Sequence, residues 1–301
     1  MAISESVSLR KKRRRKKMSA KDVVFYTILY AFFLLFVVVT VYPLIRILAI
    51  SFSERMDYIL MRVFYFPHWS LKNYKELFGW DSIRQGLIIS FLRVVIGTFA
   101  GVMCSSLLAF ILSRKKFIFK KGLAVFWTIT MYAQAGLVTT MLLYKKLYLH
   151  HTFWVYIIPC MVSVLNVMVI RTYMKSIPDS FEESAQLDGA GYMKIFTSIV
   201  MPLCKPVYAA TALFLAAYHW NSWFDALVYN RLDEQYTTIM FELMKKIVSD
   251  TLISRQNCAP TRCNTPLIAA GCILAAIPLI IIYPFFQKWF VTGLTVGGIK
   301  E

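Results

Sequence analysis

The sequence predicts an all-α, polytopic membrane protein with six transmembrane helices. Three observations carry that reading. Hydrophobic residues make up 58% of the 301-residue chain and charged residues only 17%, against about 45–50% and about 25% in soluble domains. Six stretches approach the roughly 20 apolar residues that a bilayer-crossing helix needs. The remaining charge is lopsided, with 34 Lys and Arg against 16 Asp and Glu and a formal net charge of +18. That balance suits a membrane protein whose basic segments meet anionic headgroups. The same figures exclude other classes. Six cysteines are too sparse for a secreted disulfide scaffold. The apolar content excludes disorder. The basic residues sit in segments and are not spread over a folded surface, which argues against nucleic-acid binding.

The first expected span, residues 23–45, contains no charged residue. Its apolar core exceeds the roughly 7–15 residues of a signal-peptide core, and no small-residue cleavage site follows it. The second, residues 94–112, is also uncharged, with Arg93 at its outer edge. The third covers residues 122–143 and the fourth 152–170. The fifth covers 207–218, extended backward by 199–203, and the sixth covers 267–286. An even number of spans puts both termini on one side. The Lys and Arg bias puts that side in the cytoplasm. Twenty of the 34 basic residues then lie inside, eight of them in the run from Arg10 to Lys17. Lys145 and Lys146, in a short outer turn, run against the rule. The basic run also reads as a nuclear-localisation or nucleic-acid arm. A cytoplasmic tail that attracts anionic lipid fits better, because a long span follows directly. The expected domains are a basic tail over 1–22, a six-helix transmembrane bundle over 23–290 and a cytoplasmic tail over 291–301.

The spans are as informative for what they lack. No ionisable residue is expected centrally in any of them, whereas proton- or ion-coupled transporters usually carry such groups at midplane. No Gly in the chain is followed by Lys, so there is no phosphate-cradling loop. No set of His, Cys, Asp and Glu has metal-ligand spacing on one helix. The chain therefore reads as non-catalytic. Gly97 and Gly101 in the second span form a G-x-x-x-G pair, read as close helix packing. Asn166 is the one strongly polar amide in a span, and either bonds a neighbouring helix or lines a pathway.

The loop between the fourth and fifth spans, residues 177–202, holds the most legible grammar. Asp179 or Ser180 is the expected helix N-cap, with Glu182 and Glu183 in the first turn where the helix dipole favours anions. With Ser180 as cap, Glu183 completes a capping box. Gly189 and Gly191 stop or bend that helix. A second amphipathic helix follows, with Met193, Phe196 and Ile199 or Val200 expected on one face. Pro202 and Pro206 mark the entry to the fifth span. Two short helices around a Gly bend suggest a docking surface.

The segment Glu183-Ser184-Ala185, Asp188-Gly189-Ala190 and Ile199-Val200-Met201-Pro202 resembles the EAA loop of ABC importer permeases. Ser184 stands where that pattern has Ala, and Met201 where it has Leu. The wider chain is similar to carbohydrate permeases of the MalG type, in the LplC/YtcP branch. Supporting stretches include Thr152-Phe153-Trp154 and Tyr283-Pro284-Phe285-Phe286. The resemblance covers nearly the whole chain except the basic N-terminus and residues 231–265. It implies the MetI-like, type I importer fold, and a function as the permease subunit of an ATP-driven oligosaccharide importer in the bacterial plasma membrane. The implied partners are a second homologous permease, two cytoplasmic ATPase subunits and an external solute-binding protein. ATP and Mg would be used by the ATPase, and this chain would bind no cofactor. The implied coupling residues are Glu182, Glu183, Ser184, Ala185, Asp188, Gly189, Ala190, Gly191 and Pro202. Glu183 would pair with a basic residue of the ATPase, Gly189 would permit the bend, and Ala185 and Ala190 would allow close approach. The competing class is a stand-alone secondary transporter or channel for a small polar solute.

Aromatic and amide residues cluster at the outer end of the fifth span. Tyr218, Trp220, Asn221 and Trp223 are either sugar contacts or an interfacial aromatic belt. Two outer segments, residues 51–85 and 221–265, are candidates to meet the solute-binding protein. The second contains Cys258 and Cys263, which form a disulfide or remain free thiols. Cys104, Cys160, Cys204 and Cys272 read as small packing residues.

Overall fold

The computed structural model describes residues 20–54, 69–114, 117–133, 135–257 and 265–296, and all regular structure among them is helical. Cys258, Cys263 and the basic run Arg10 to Lys17 lie outside the described residues. The chain divides into two compact units, Met1–Ile47 and Leu48–Glu301. The first holds most of α1 (Ala20–Ser51). At about 1.5 Å per residue its 32 residues run about 48 Å, past both ends of the expected span.

The second unit contains α2 (Lys72–Gly79), α3 (Asp81–Ser113), α4 (Lys120–Tyr132) and α5 (Leu137–Lys146). It continues through α6 (Val164–Met174), α7 (Ser180–Leu187), α8 (Tyr192–Ile195) and α9 (Lys205–Asn221). It closes with α10 (Phe224–Tyr229), α11 (Ile239–Asn257) and α12 (Thr265–Val296). Three helices are individually long and apolar enough to cross a membrane, and the number reaches six if each of three bent pairs is one span. The sixth of these helices continues past residue 290 to Val296.

Three of the expected spans are thus broken. The third stops at Tyr132 and restarts at Leu137, after Gly136 at φ 77°. The fourth opens as 3-10 turns, Phe153–Tyr156 and Ile158–Cys160, then bends by 44° into α6. Pro159 sits in that opening and has no N–H for an α-helical ladder. The fifth begins only at Lys205. Residues 199–203, expected to extend it, belong instead to the arm Tyr192–Leu203, which is bent by 79° from α9. Pro206 lies in the first turn of α9, where a missing N–H costs nothing. Apolar content marks which residues enter a bilayer, but the breaks are backbone events.

Helix α3 organises the second unit by packing against α6, α9 and α11. Glycines make the close approaches. A Cβ at Gly97 would lie 2.5 Å from Nε2 of His219, and one at Gly101 would lie 3.0 Å from a methyl of Leu215. Phe110, Leu112, Ile170, Phe196 and Val207 form an apolar core around one end of α3. Ile89, Tyr156, Tyr229 and Phe241 form another toward its start.

Arg93, expected at the outer edge of the second span, lies inside a longer helix: α3 begins twelve residues earlier, and Arg93 is fully buried within it. Its guanidinium pairs with Asp225 and lies 4.6 Å from the centre of the Tyr156 ring. The physical reason is partnering. An isolated buried charge is costly, but one that meets a carboxylate and an aromatic face is tolerated. Arg93 is 21 residues from Arg114, about 32 Å along the helix, so the two guanidinium groups bracket one hydrocarbon thickness.

Candidate functional site

The elbow expected from the sequence forms, with changes in detail. Helix α7 starts at Ser180, so Asp179 is its N-cap and makes no side-chain cap hydrogen bond. The Ser180–Glu183 capping box is therefore not the arrangement adopted. Ser180 is already inside the first turn and cannot reach the N–H groups a cap serves. The far end follows the expected stop. Gly189 adopts φ 76°, a left-handed conformation that favours glycine. Its N–H donates to the carbonyl of Gln186, and the N–H of Ala190 donates to that of Ala185. These two bonds are a Schellman closure, with Ala185 buried and Ala190 packed beside it. The chain turns at that point, and Gly191 caps α8 in an extended conformation.

The return arm buries most of the expected face. Phe196 and Val200 point inward as expected, Ile195 joins them, and Met193 does not, at 66% exposed. A π-helical turn runs over Phe196–Val200. Phe196 packs on Phe110 of α3 with ring centres 5.0 Å apart.

The acids of α7 divide. Glu182 turns inward and pairs with Arg114, which follows α3. Burial lowers the pKa of Arg114 from the ordinary guanidinium value, and Asp179 opposes that shift. Glu183, Ser184 and Asp188 remain exposed. Leu187 is 90% exposed and lies one turn beyond Glu183 on the same face. Phe181 is half exposed beside them. Sequence reasoning passed over Leu187 and Phe181. Their signal was apolar residues placed off the buried stripe of a short, polar helix. Between α7 and the ends of α3, α4 and α6 lies a cleft of about 520 Å³, walled in part by Arg114, Lys121, Arg171, Lys175 and Glu183.

The residues expected along a pathway are scattered. Tyr218 is half exposed, with its hydroxyl 3.7 Å from the Cys160 thiol. Asn221 is exposed at the end of α9. Asn166 lies in the first turn of α6, partly buried, and its backbone N–H meets Ser163 Oγ at 3.5 Å. Trp223 packs against the Tyr229 cluster. Trp220 sits in the packing between helices. It is buried, and its Nε1–H donates to the carbonyl of Ala275 in α12 at 2.8 Å. An indole that is apolar in body and polar at one tip serves helix packing when its N–H finds a carbonyl.

At the other end of α3 the segment after α9 is folded, not a loose loop. Thr238 Oγ1 accepts from the N–H of Phe241 and caps α11, and Ser90 Oγ of α3 accepts from the N–H of Ile239. Glu242 is buried, with Thr237 Oγ1 donating to it at 2.5 Å and Lys245 Nζ at 2.5 Å. His151 pairs with Asp233. Beside it, burial and the nearby His151 and Lys145 lower the pKa of His150. No group of three or more potential metal ligands occurs among the described residues.

A helical bundle with broken spans and a braced, exposed helix–turn–helix at one end fits a membrane transport subunit. Comparison with known proteins gives the family. The chain is 31% identical over 286 residues to the polygalacturonan/rhamnogalacturonan transport system permease protein YtcP of Bacillus subtilis (strain 168), covering 93% of this chain and 99% of that one. It is 29% identical over 267 residues to protein LplC of the same organism, covering 87% and 90%. Among solved structures it resembles a chain of a bacterial ABC transporter involved in the import of the acidic polysaccharide alginate. That match has a TM-score of 0.82 at 25% identity, covering 91% of this chain and 99% of that one. No protein-family model matches. The chain belongs to the permease subunits of carbohydrate ABC transport systems, multi-pass proteins of the bacterial inner membrane.

Proposed function

We propose that the chain forms half of the translocation pathway of an ATP-driven oligosaccharide importer and receives its power stroke through α7. One observation carries this reading: α7 presents Glu183 and Leu187 outward while Glu182, Ala185 and the Schellman closure hold it from behind. A short helix with an exposed acid and an exposed apolar knob, rigidly backed, is suited to seat in a cleft of another protein. The partner is a cytoplasmic ATPase, which binds ATP and Mg; a second, homologous permease completes the pathway and brings a second ATPase. Both termini lie in the cytoplasm, with the basic N-terminus against anionic lipid. A solute-binding protein delivers substrate to the opposite face, where Phe224 and Leu232 are exposed on the segment after α9. The names of two relatives, one handling polygalacturonan and rhamnogalacturonan and one the acidic polysaccharide alginate, favour an acidic oligosaccharide.

The test combines uptake with ATPase pull-down. Glu183→Lys and Gly189→Pro are expected to insert normally yet lose transport, Glu183→Lys by losing the ATPase. Uptake at the wild-type rate in both variants defeats the proposal. A panel of acidic and neutral oligosaccharides, scored by substrate-dependent ATPase activity, tests the substrate class.

A further inference from the structure

Helix α3 is gripped at both ends by parts of the chain far from it in sequence. At one end Arg114 pairs with Glu182 of α7. Its Nε–H also donates to the carbonyl of Phe110 at 3.3 Å, and its guanidinium lies 4.3 Å from the centre of the Phe110 ring. Arg171 of α6 donates to the carbonyl of Leu112 at 3.2 Å, so the helix end itself is tied down. At the other end four residues of α3, spread over about two and a half turns, hold the segment after α9. Gln85 Nε2 donates to the carbonyl of Gln235 at 2.9 Å. Gly86 leaves only 3.0 Å between a would-be Cβ and the backbone nitrogen of Ile239. Ser90 Oγ accepts from that same Ile239 N–H. Arg93 donates to Asp225 Oδ1 at 3.2 Å and to the carbonyl of Ser222 at 3.4 Å, with a further bond to the second carboxylate oxygen.

Between these grips the helix runs about 32 Å from Arg93 to Arg114. It contains no proline, and Gly97 and Gly101 seat it directly on α9. A continuous helix cannot stretch, so displacement at one end reappears at the other. We infer that α3 is the rod that carries movement of the α7 elbow to the external segment 222–243, with Arg114 and Arg93 as positioning residues at its two ends. This rests on the reading of α7 as the ATPase seat. It adds that the route to the external face runs through a helix neither adjoining the elbow in sequence nor carrying the EAA pattern. Each end engages a different surface: the elbow at one, and at the other the segment on which a solute-binding protein would land.

The experiment uses the whole transporter reconstituted in lipid vesicles, with both permeases, both ATPases and the solute-binding protein. The readouts are ATPase co-purification, basal ATPase rate, the rate stimulated by substrate-loaded binding protein, and uptake. Arg114→Glu and Glu182→Arg are each expected to keep the ATPase bound, because the exposed Glu183 face is untouched. Each should lose stimulation by about tenfold, within the range for coupling between distant sites. The double swap, Arg114→Glu with Glu182→Arg, should recover most of it, which a misfolded protein would not do. At the outer end Asp225→Asn keeps the shape but turns one of the two acceptors facing Arg93 into a donor, and should lower stimulation while leaving the basal rate intact. Wild-type stimulation in the single variants, or a double swap no better than they are, overturns the inference. Loss of ATPase binding in Glu182→Arg also overturns it, by placing Glu182 in the seat. A Glu183→Lys transporter that still binds its ATPase and couples normally defeats the docking reading instead, and is told apart by that co-purification.

Discussion

The close approach of α3 to α9 gives the sharpest stability test, Gly97→Ala. A methyl there would sit 2.5, 2.7 and 2.8 Å from three atoms of the His219 ring. Real Cβ atoms do not approach so closely, so either the ring or the helix must move. The ring has little freedom. It is 1% exposed and has its Nδ1 3.5 Å from Arg93 Nε, which is itself committed to Asp225. Overpacking of this kind costs about 1–3 kcal/mol. At about 2–4 °C per kcal/mol for a domain of comparable size, the melting temperature in detergent should fall by roughly 2–12 °C. Two controls separate packing from helix propensity. Gly122→Ala, in α4 with nothing within 4 Å of its Cβ, should be neutral or stabilise by up to about 1 kcal/mol. Gly101→Ala should cost less than Gly97→Ala, because it meets the flexible end of Leu215. Pairing Gly97→Ala with His219→Ala should recover part of the loss. A Gly97→Ala protein that melts within 1 °C of wild type, alongside a fall in Gly122→Ala, would refute the close-packing account.

Other substitutions separate packing from transport. Trp220→Phe removes the bond to Ala275 and should cost about 0.5–1.5 kcal/mol, while uptake per folded molecule stays near wild type; a selective loss of uptake at unchanged stability would return Trp220 to the pathway. Thr237→Val strips a hydroxyl from the buried Glu242 carboxylate and should cost about 1.5–3 kcal/mol, read as a lower melting temperature. Gly189→Ala forces a side chain into a left-handed conformation at a cost of about 1 kcal/mol, and Gly189→Asn should be milder, with ATPase co-purification following the same order.

Much of the fold was legible because a bilayer constrains composition before it constrains geometry. The apolar runs located each of the three described helices that is long and apolar enough to cross, and the Gly and Pro positions located the elbow's stop and the start of α9. What the reading left open was three-dimensional. The burial of Arg93 was not legible because sequence hides the carboxylate, 132 residues away, that makes it tolerable. The bond that holds the Trp220 indole was not legible because its partner carbonyl is 55 residues further on. On the return arm Phe196 and Val200 were legible as inward-facing, and the exposure of Met193 was not.

The sequence by itself determined that this is a membrane protein with a Gly-stopped elbow, because hydropathy, basic bias and turn residues are local properties, and the resemblance of that elbow to the EAA loop pointed to a permease. The tertiary structure alone decided which acid is exposed and which braces the elbow, since Glu182 and Glu183 are adjacent, chemically alike and separable only by where Arg114 lies. It likewise decided that α3 joins the elbow to the far segment. Pairings such as Arg114 with Glu182 and Arg93 with Asp225 exist only once distant parts of the chain are packed, and no local pattern encodes them.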